Sequence, residues 1–152
     1  MYTNKPILSF LLGDWTIHRE IYSDELLSGQ AEGFVTFEEN GTNSLSYTEK
    51  GETYFFDIKK QIPFQKKFLY EFSLDTLTVY FTDGVDNGKV YQHYALEDFK
   101  NKKVESSEKH FCGNDIYQSY YVIKNDEEFF MKTIINGPKK SFVIDTFFEK
   151  VQ

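Results

Sequence analysis

The chain of 152 residues contains one cysteine, three prolines and few alanines. A single thiol cannot form an internal disulfide, so a small secreted scaffold built on disulfides is excluded. No apolar run is long enough to span a bilayer as a helix. The first residues contain neither a long apolar segment nor a small-residue cleavage site. The sequence therefore predicts no signal peptide and, by default, a cytoplasmic location.

Positive charge is also scarce, because 17 lysines and arginines stand against 24 acidic residues and give a formal net charge of -7. Non-specific nucleic-acid binding depends on neutralising phosphates with Lys and Arg. We therefore expect no nucleic-acid partner, and no membrane partner either. The sequence lacks the glycine-rich dinucleotide signature, the P-loop, the HExxH zinc signature and the GxSxG nucleophile elbow.

Aromatic residues are abundant: 16 Phe, 11 Tyr and one Trp make up 18% of the chain, a composition that favours strands over helices. Segments of alternating polarity recur at a spacing of about ten residues. Turn signals such as Asn40-Gly41 and Asp83-Gly84 separate them. The composition is even from end to end, which predicts one all-β domain over residues 1–152.

The alternation assigns most of the chain to strands. The predicted strands are residues 15–21, 31–37, 45–51, 54–62, 67–73, 76–82, 89–96, 117–123, 128–135 and 141–149. Residues 5–13 have a proline near the start and a glycine at the end, which predicts a short helical turn. Closing a strand meander removes its two edges. We therefore predict an antiparallel up-and-down barrel of about eight to ten strands, with room inside for a small ligand.

The predicted first strand opens with Gly13-Asp14-Trp15, which resembles the G-x-W start of lipocalins and other calycin-like barrels. Four further segments, in this order, make the chain similar to a bacterial family, domain-of-unknown-function family 6314. They are Arg19, residues 47–51 (YTEKG), residues 110–117 (HFCGNDIY) and residues 137–142 (GPKKSF). The resemblance covers nearly the whole chain, and H-x-C-x-x-D-x-Y with G-P-x-K is its specific part. It implies a lipocalin-like barrel and pocket residues, but no reaction.

Two neighbouring positions differ from that family. The family typically has an acidic or amide residue and a tyrosine where this chain has Ser141 and Phe142. Lys140 matches. At this turn before the last strand, a lysine could meet a ligand carboxylate. The resemblance also favours Asp115 and Tyr117 as residues that face the pocket.

Arg19 shares a strand face with Trp15 and Ile17, so it faces the interior if Trp15 does. A buried guanidinium needs an acceptor, and alternation places Glu49 on one face with Tyr47. Two interpretations follow. Arg19 and Glu49 form a structural ion pair across the barrel, or Arg19 binds an anion with its forked donors.

The densest polar cluster contains His110, Cys112, Asp115 and Tyr117. It allows a metal site, a Cys112 nucleophile activated by His110, or a loop at a pocket entrance. Metal sites rarely use a lone thiolate without further Cys or His, so we expect no metal and no cofactor. A haem held by His93, as in nitrobindin-like barrels, is an alternative that no motif supports.

We therefore expect a barrel that binds a small molecule, partly apolar and anionic, in its interior. The predicted ligand contacts are Arg19, Tyr47, Glu49, His110, Asp115, Tyr117 and Lys140. The oligomeric state stays open, a homodimer included.

Two other functions compete with that expectation. One is an isomerase or hydrolase of a small acid, with Asp115 or His110 as base and Arg19 or Lys140 stabilising an oxyanion. The other is a filled barrel that acts as a structural or interaction module. A cavity whose polar groups are already paired would favour binding over catalysis.

Overall fold

The structure, a computed structural model, describes residues 5–97, 103–105, 110–112, 115–138 and 141–152. Within these ranges, the side chains of residues 5, 6, 103–105 and 110–112 are not described. The predicted ligand contact Lys140 lies outside the described residues, and only the backbone of His110 lies within them.

One α-helix precedes eleven strands in the described part of the chain. The elements are α1 (Lys5–Leu11), β1 (Gly13–Ser23), β2 (Leu26–Glu39), β3 (Ser44–Phe55), β4 (Lys60–Phe72), β5 (Thr76–Phe81), β6 (Val90–Ala95), β7 (Lys103–Glu105), β8 (His110–Cys112), β9 (Asp115–Asn125), β10 (Glu128–Asn136) and β11 (Ser141–Lys150). Nine strands have at least six residues, whereas β7 and β8 have three each. None of the described helices has the length and apolar character needed to cross a membrane.

The strands form one antiparallel meander in which chain neighbours are sheet neighbours from β1 to β6 and from β9 to β11. The first and last strands also pair, with Trp15 opposite Lys150 and Ser23 opposite Phe142. The nine long strands therefore make a nearly closed wall. This confirms the predicted up-and-down barrel, its strand number and its short N-terminal helical turn.

No main-chain ladder joins β6 to β9 within the described ranges: the short strands β7 and β8 pair with β9 on this edge, and side chains bridge β6 to β9. The Gln92 side-chain nitrogen donates to the backbone oxygen of Tyr117 at 3.4 Å. The hydroxyls of Tyr94 and Ser119 share a hydrogen bond of 2.5 Å. We call this junction the seam. Gln92, Tyr94 and Ser119 are all buried, so the seam is part of the interior.

Helix α1 covers one end of the barrel. Trp15 Nε1 donates to the backbone oxygen of Leu11 at 2.8 Å. The Phe10 ring lies 5.5 Å from Trp15 and 5.8 Å from Phe129. Full burial of a phenylalanine side chain contributes about 1.5–3 kcal/mol. Phe10 is partly buried and gains a share of this, which holds α1 in place. We call this the closed end, and the opposite end, where β1 turns into β2, the mouth.

Strands β2 and β3 approach each other closely where Gly33 is opposite Gly51. A Cβ on Gly51 would lie 2.7 Å from the Gly33 Cα and 2.7 Å from the Phe64 ring. Such contacts are too short for any side chain. Position 51 therefore has to be glycine, because the ring of Phe64 occupies the space that a side chain there would need.

The predicted strand at residues 54–62 is wrong. Strand β3 continues to Phe55, residues 56–59 form a turn, and β4 begins at Lys60. Phe56 and Ile58 are apolar and yet 38% and 49% exposed. Their alternation looks like that of a strand although it belongs to a turn at the mouth.

Candidate functional site

The barrel interior contains a cavity of about 180 Å³, lined by inward-facing residues of β1, β3 to β6 and β9 to β11. Ile135 and Ile144 line it next to the β10–β11 connection, which places it toward the mouth. Tyr94 and Tyr121 line its deeper part, and the Tyr121 ring lies 6.1 Å from Phe129 of the core. The interior is therefore packed near the closed end and open above it.

An ion pair crosses the cavity wall between β1 and β3. Arg19 Nη1 donates to Glu49 Oε2 at 3.0 Å and Arg19 Nη2 donates to Glu49 Oε1 at 2.7 Å. Arg19 Nε donates to the Thr146 hydroxyl at 2.9 Å. This two-bond geometry is the strong form of an arginine–carboxylate pair. The ion pair between Arg19 and Glu49, one of the two interpretations of the sequence, is thus present.

Both partners of this pair are largely removed from water, with 14% of the Arg19 side chain and 7% of the Glu49 side chain exposed. Burial alone lowers the pKa of Arg19, but the hydrogen bond and charge of Glu49 outweigh it, and the pKa lies above its usual value. Arg19 therefore stays charged. Its bonds use three of the five N–H donors of a guanidinium.

Tyr47 completes the surroundings of Glu49, since its hydroxyl donates to Glu49 Oε1 at 2.5 Å. Burial, followed by the negative charge of Glu49, raises the pKa of Tyr47 well above its ordinary value. The carboxylate thus accepts from two Arg19 nitrogens and one phenol. Three of the roughly four acceptor sites of the carboxylate are therefore occupied.

Further tyrosines line the cavity from β4, β6 and β9. The hydroxyls of Tyr70 and Tyr121 are 2.7 Å apart and share a hydrogen bond. Burial raises the pKa of Tyr70, Tyr94 and Tyr121 well above the ordinary tyrosine value, and it also raises that of Tyr91. These phenols are therefore neutral at physiological pH, and they act as dipoles and apolar surface.

Lys66 lines the cavity but was not among the predicted site residues. Its Nζ lies 3.4 Å from Asp83 Oδ1, and it lies 5.4 Å from the Phe68 ring centroid and 4.9 Å from that of Phe81. A lysine just before an alternating segment looks like a solvated residue in sequence. The sequence offered one general signal for such a position: a lysine stem can cover apolar surface while its charge contacts an acid, here Asp83.

The structure brings four of the predicted contacts together: Arg19, Tyr47, Glu49 and Tyr117 all line the cavity. Asp115, the first residue of β9, is half-buried and does not line it. His110 lies opposite Tyr117 in the β8–β9 pairing.

The sequence could not identify Tyr91 as a cavity residue. The β5–β6 register shifts between Val79 and Tyr80, which pair with Gln92 and Val90 and leave Tyr91 as the extra residue. An extra residue of this kind breaks the alternation, so two consecutive side chains can turn inward.

No group of three or more His, Cys, Asp or Glu side chains that could hold a metal occurs in the described ranges. His93 alternates with the buried residues Gln92 and Tyr94, so its ring faces away from the interior. Its Nδ1 lies 3.1 Å from the Thr78 hydroxyl.

A second, larger depression of about 690 Å³ lies on the outside of the wall. Exposed side chains such as Glu32, Phe34 and Tyr54 line it, and Phe34 is 65% exposed. His18 and Glu32 contact each other there at 2.5 Å in a solvated setting. The smaller inner cavity is the better candidate, because its polar groups are buried and held in fixed geometry.

Two solved structures share this architecture. The S-type phycobiliprotein lyase CpeS from Guillardia theta is 6% identical with a TM-score of 0.72, over 99% of this chain and 94% of that one. Rv2717c from M. tuberculosis is 11% identical with a TM-score of 0.55, over 100% of this chain and 99% of that one. At such identities, both likenesses show the fold alone.

At the level of sequence, residues 11–150 match the model of one family, described as "Family of unknown function (DUF6314)". No protein with a curated description shows a significant match to the chain.

Proposed function

This chain belongs to the Family of unknown function (DUF6314), and from that premise we propose that its barrel binds a small, partly apolar, anionic molecule in the interior cavity. The observation that carries the proposal is the cavity of about 180 Å³ around the Arg19–Glu49 pair. A filled barrel that served as a structural module would leave no such volume beside the pair.

The apolar part of the site comes from Val79, Met131, Ile135 and Ile144, together with the tyrosine and phenylalanine rings. Such a lining supplies affinity, while a few fixed polar groups set the orientation of a ligand. Thr146 holds the Arg19 guanidinium from one side. The polar groups are thus already positioned without a ligand.

The charge of the lining supports an anionic ligand. Two cations, Arg19 and Lys66, line the cavity with one carboxylate, Glu49, while Asp83, the partner of Lys66, does not line it. Arg19 keeps N–H donors beyond those that bind Glu49 and Thr146. A ligand oxygen bound there would meet a charged donor in a setting with little water to screen it.

Binding fits this geometry better than catalysis. Glu49 is engaged by Arg19 and Tyr47, and the phenols of the lining hold their protons tightly. Asp115, which the enzyme alternative would use as a base, does not line the cavity. A general base has to be within hydrogen-bond reach of its substrate.

Native mass spectrometry tests the proposal with a mixture of aliphatic and aromatic carboxylates and phosphate esters. Ile144→Trp fills the cavity, and Ile62→Trp makes the same change at a side chain that is 41% exposed. We expect an added mass on the wild type and on Ile62→Trp, and none on Ile144→Trp at a matched folded fraction. If Ile144→Trp does not fold, Ile135→Phe narrows the same cavity.

Two results would contradict the proposal. If no compound of the mixture adds mass to the wild type, the barrel is not a receptor for small anions. If Ile144→Trp binds as the wild type does, the ligand lies outside the interior cavity.

A further inference from the structure

The size of the cavity limits its ligand. A volume of about 180 Å³ is slightly larger than an engineered apolar protein cavity of about 150 Å³ that binds benzene. It therefore suits one six-membered ring with one or two small substituents. A second fused ring, or a long acyl chain, would extend out of this volume toward the mouth, because the tyrosines close it from beneath.

Flat rings make up much of the cavity wall. Tyr47 and Tyr70 are stacked with centroids 5.6 Å apart and 15° between their planes. Phe68 and Tyr91 are stacked at 5.4 Å and 18°. Aromatic rings favour offset-stacked or edge-to-face neighbours at about 4.5–7 Å. An aromatic ligand can make such contacts with these rings by its face or its edge, which favours it over a puckered ring of equal volume.

The polar end of the cavity matches a carboxylate. The Arg19 guanidinium is fixed by Glu49 and Thr146, and Phe64 covers one face at 5.5 Å from its ring centroid. Its remaining N–H groups lie in the guanidinium plane. They point to opposite sides of the group, one from Nη1 and one from Nη2, so each can donate one charge-assisted hydrogen bond to a carboxylate oxygen.

From these three observations we propose that the ligand is a single-ring aromatic carboxylate, with its ring among the tyrosines and its carboxylate at Arg19. This inference rests on the proposed function, since it names the chemical class of the interior ligand. The ring occupies the volume that Tyr47, Tyr91 and Tyr117 line, and the size of that volume sets the limit of one ring.

Four probes of related shape test the inference by isothermal calorimetry: benzoate, naphthoate, cyclohexanecarboxylate and benzamide. Naphthoate adds a ring, cyclohexanecarboxylate removes the flatness, and benzamide removes the charge while keeping the shape. We expect benzoate to bind with a dissociation constant lower by about tenfold or more than that of each other probe. The preference should persist in Ile62→Trp and disappear in Ile144→Trp or Ile135→Phe.

Each other outcome overturns a part of the inference. If naphthoate binds as tightly as benzoate, the limit of one ring is wrong. If cyclohexanecarboxylate does so, flat walls do not select the ligand, and if benzamide does so, Arg19 does not select a charge. If none of the four binds while the mixture experiment still shows an added mass, the aromatic class is wrong and the proposed function stands.

Discussion

The hydroxyl oxygens of Tyr70 on β4 and Tyr121 on β9 lie 2.7 Å apart and join two facing walls of the barrel. Both side chains are nearly inaccessible, at 4% and 3% exposed. Their rings also line the cavity, so this bond forms its floor. It separates the packed aromatic core below from the open volume above.

Removing either hydroxyl should weaken the barrel. We expect Tyr70→Phe to lower the free energy of unfolding by about 1–2 kcal/mol, because the Tyr121 hydroxyl loses this partner in a buried setting. A double-mutant cycle with Tyr121→Phe should give a coupling of about 1 kcal/mol by urea unfolding. Tyr54→Phe, at a side chain that is 41% exposed, is the matched control and should change stability by less than about 0.5 kcal/mol. Additive single effects would show that the two hydroxyls do not interact.

Glu49→Gln should be among the most destabilising single substitutions at the site. It leaves the Arg19 charge buried without its counter-charge, which costs about 3–5 kcal/mol. Glu39→Gln, at an exposed position, should change the free energy of unfolding by less than about 0.5 kcal/mol. The double variant Arg19→Met with Glu49→Leu should recover much of the loss, since both charges are removed. A single Glu49→Gln variant as stable as the wild type would show that the ion pair does not hold the wall.

The protein should lose stability at alkaline pH through its buried tyrosines. Burial raises the pKa of five tyrosines in the folded protein: Tyr47, Tyr70, Tyr91, Tyr94 and Tyr121. In the unfolded chain the same side chains release their protons at the usual tyrosine pKa of about 10. Above that pH the unfolded state binds fewer protons than the folded state. Below about pH 10, the ionisation of these tyrosines should therefore leave the free energy of unfolding unchanged. Above that pH, the free energy of unfolding should fall by about 1.4 kcal/mol per pH unit for each such tyrosine.

Urea unfolding at a series of alkaline pH values measures that slope, and tyrosinate absorbance follows the phenols directly. The buried phenols should ionise only as the barrel unfolds, in one cooperative step. Gradual ionisation of all 11 tyrosines near pH 10, with the fold intact, would contradict the expected burial of about half of them.

Gly51→Ala should be poorly tolerated, because the added Cβ meets the backbone of Glu32 and Gly33 as well as the Phe64 ring. We expect the free energy of unfolding to fall by more than about 2 kcal/mol. Gly84→Ala is the control: its φ of 69° disfavours alanine, but nothing lies within 4 Å of the new Cβ. That change should cost only about 1 kcal/mol. Equal losses in the two variants would mean that β2 and β3 can separate to admit the methyl group.

Much of the architecture could be predicted because side-chain alternation and turn residues are local signals. Trp15 and Ile17 are buried on the same face of β1 as Arg19, as the period of two requires. Gly41 and Gly84 take positive φ in the predicted turns. The strand predicted at residues 54–62 was wrong, because exposed apolar side chains at a turn show the same alternation as a strand.

The site could be predicted only in part. Arg19 and Glu49 were found together because a buried charge needs a partner, which is a physical constraint visible in sequence. The place of Tyr91 in the cavity lining depends on an extra residue in β6, and that of Lys66 depends on its ion pair with Asp83. Neither feature leaves a periodic signal, since both arise when distant strands meet.

The seam between β6 and β9 determines where the barrel opens locally. Strand β1 is bonded by main-chain ladders on both sides, whereas β6 is bonded in this way only to β5 within the described residues. Local opening of the sheet should therefore begin at β6, because its described bonds to β9 are side-chain bonds such as that of Tyr94 with Ser119, and β7 and β8 pair with β9 rather than with β6. Amide hydrogen exchange along Val90–Ala95 should be faster than along Gly13–Ser23. The circumference thus has a weakest point, where the interior can exchange with solvent while the rest of the wall stays folded.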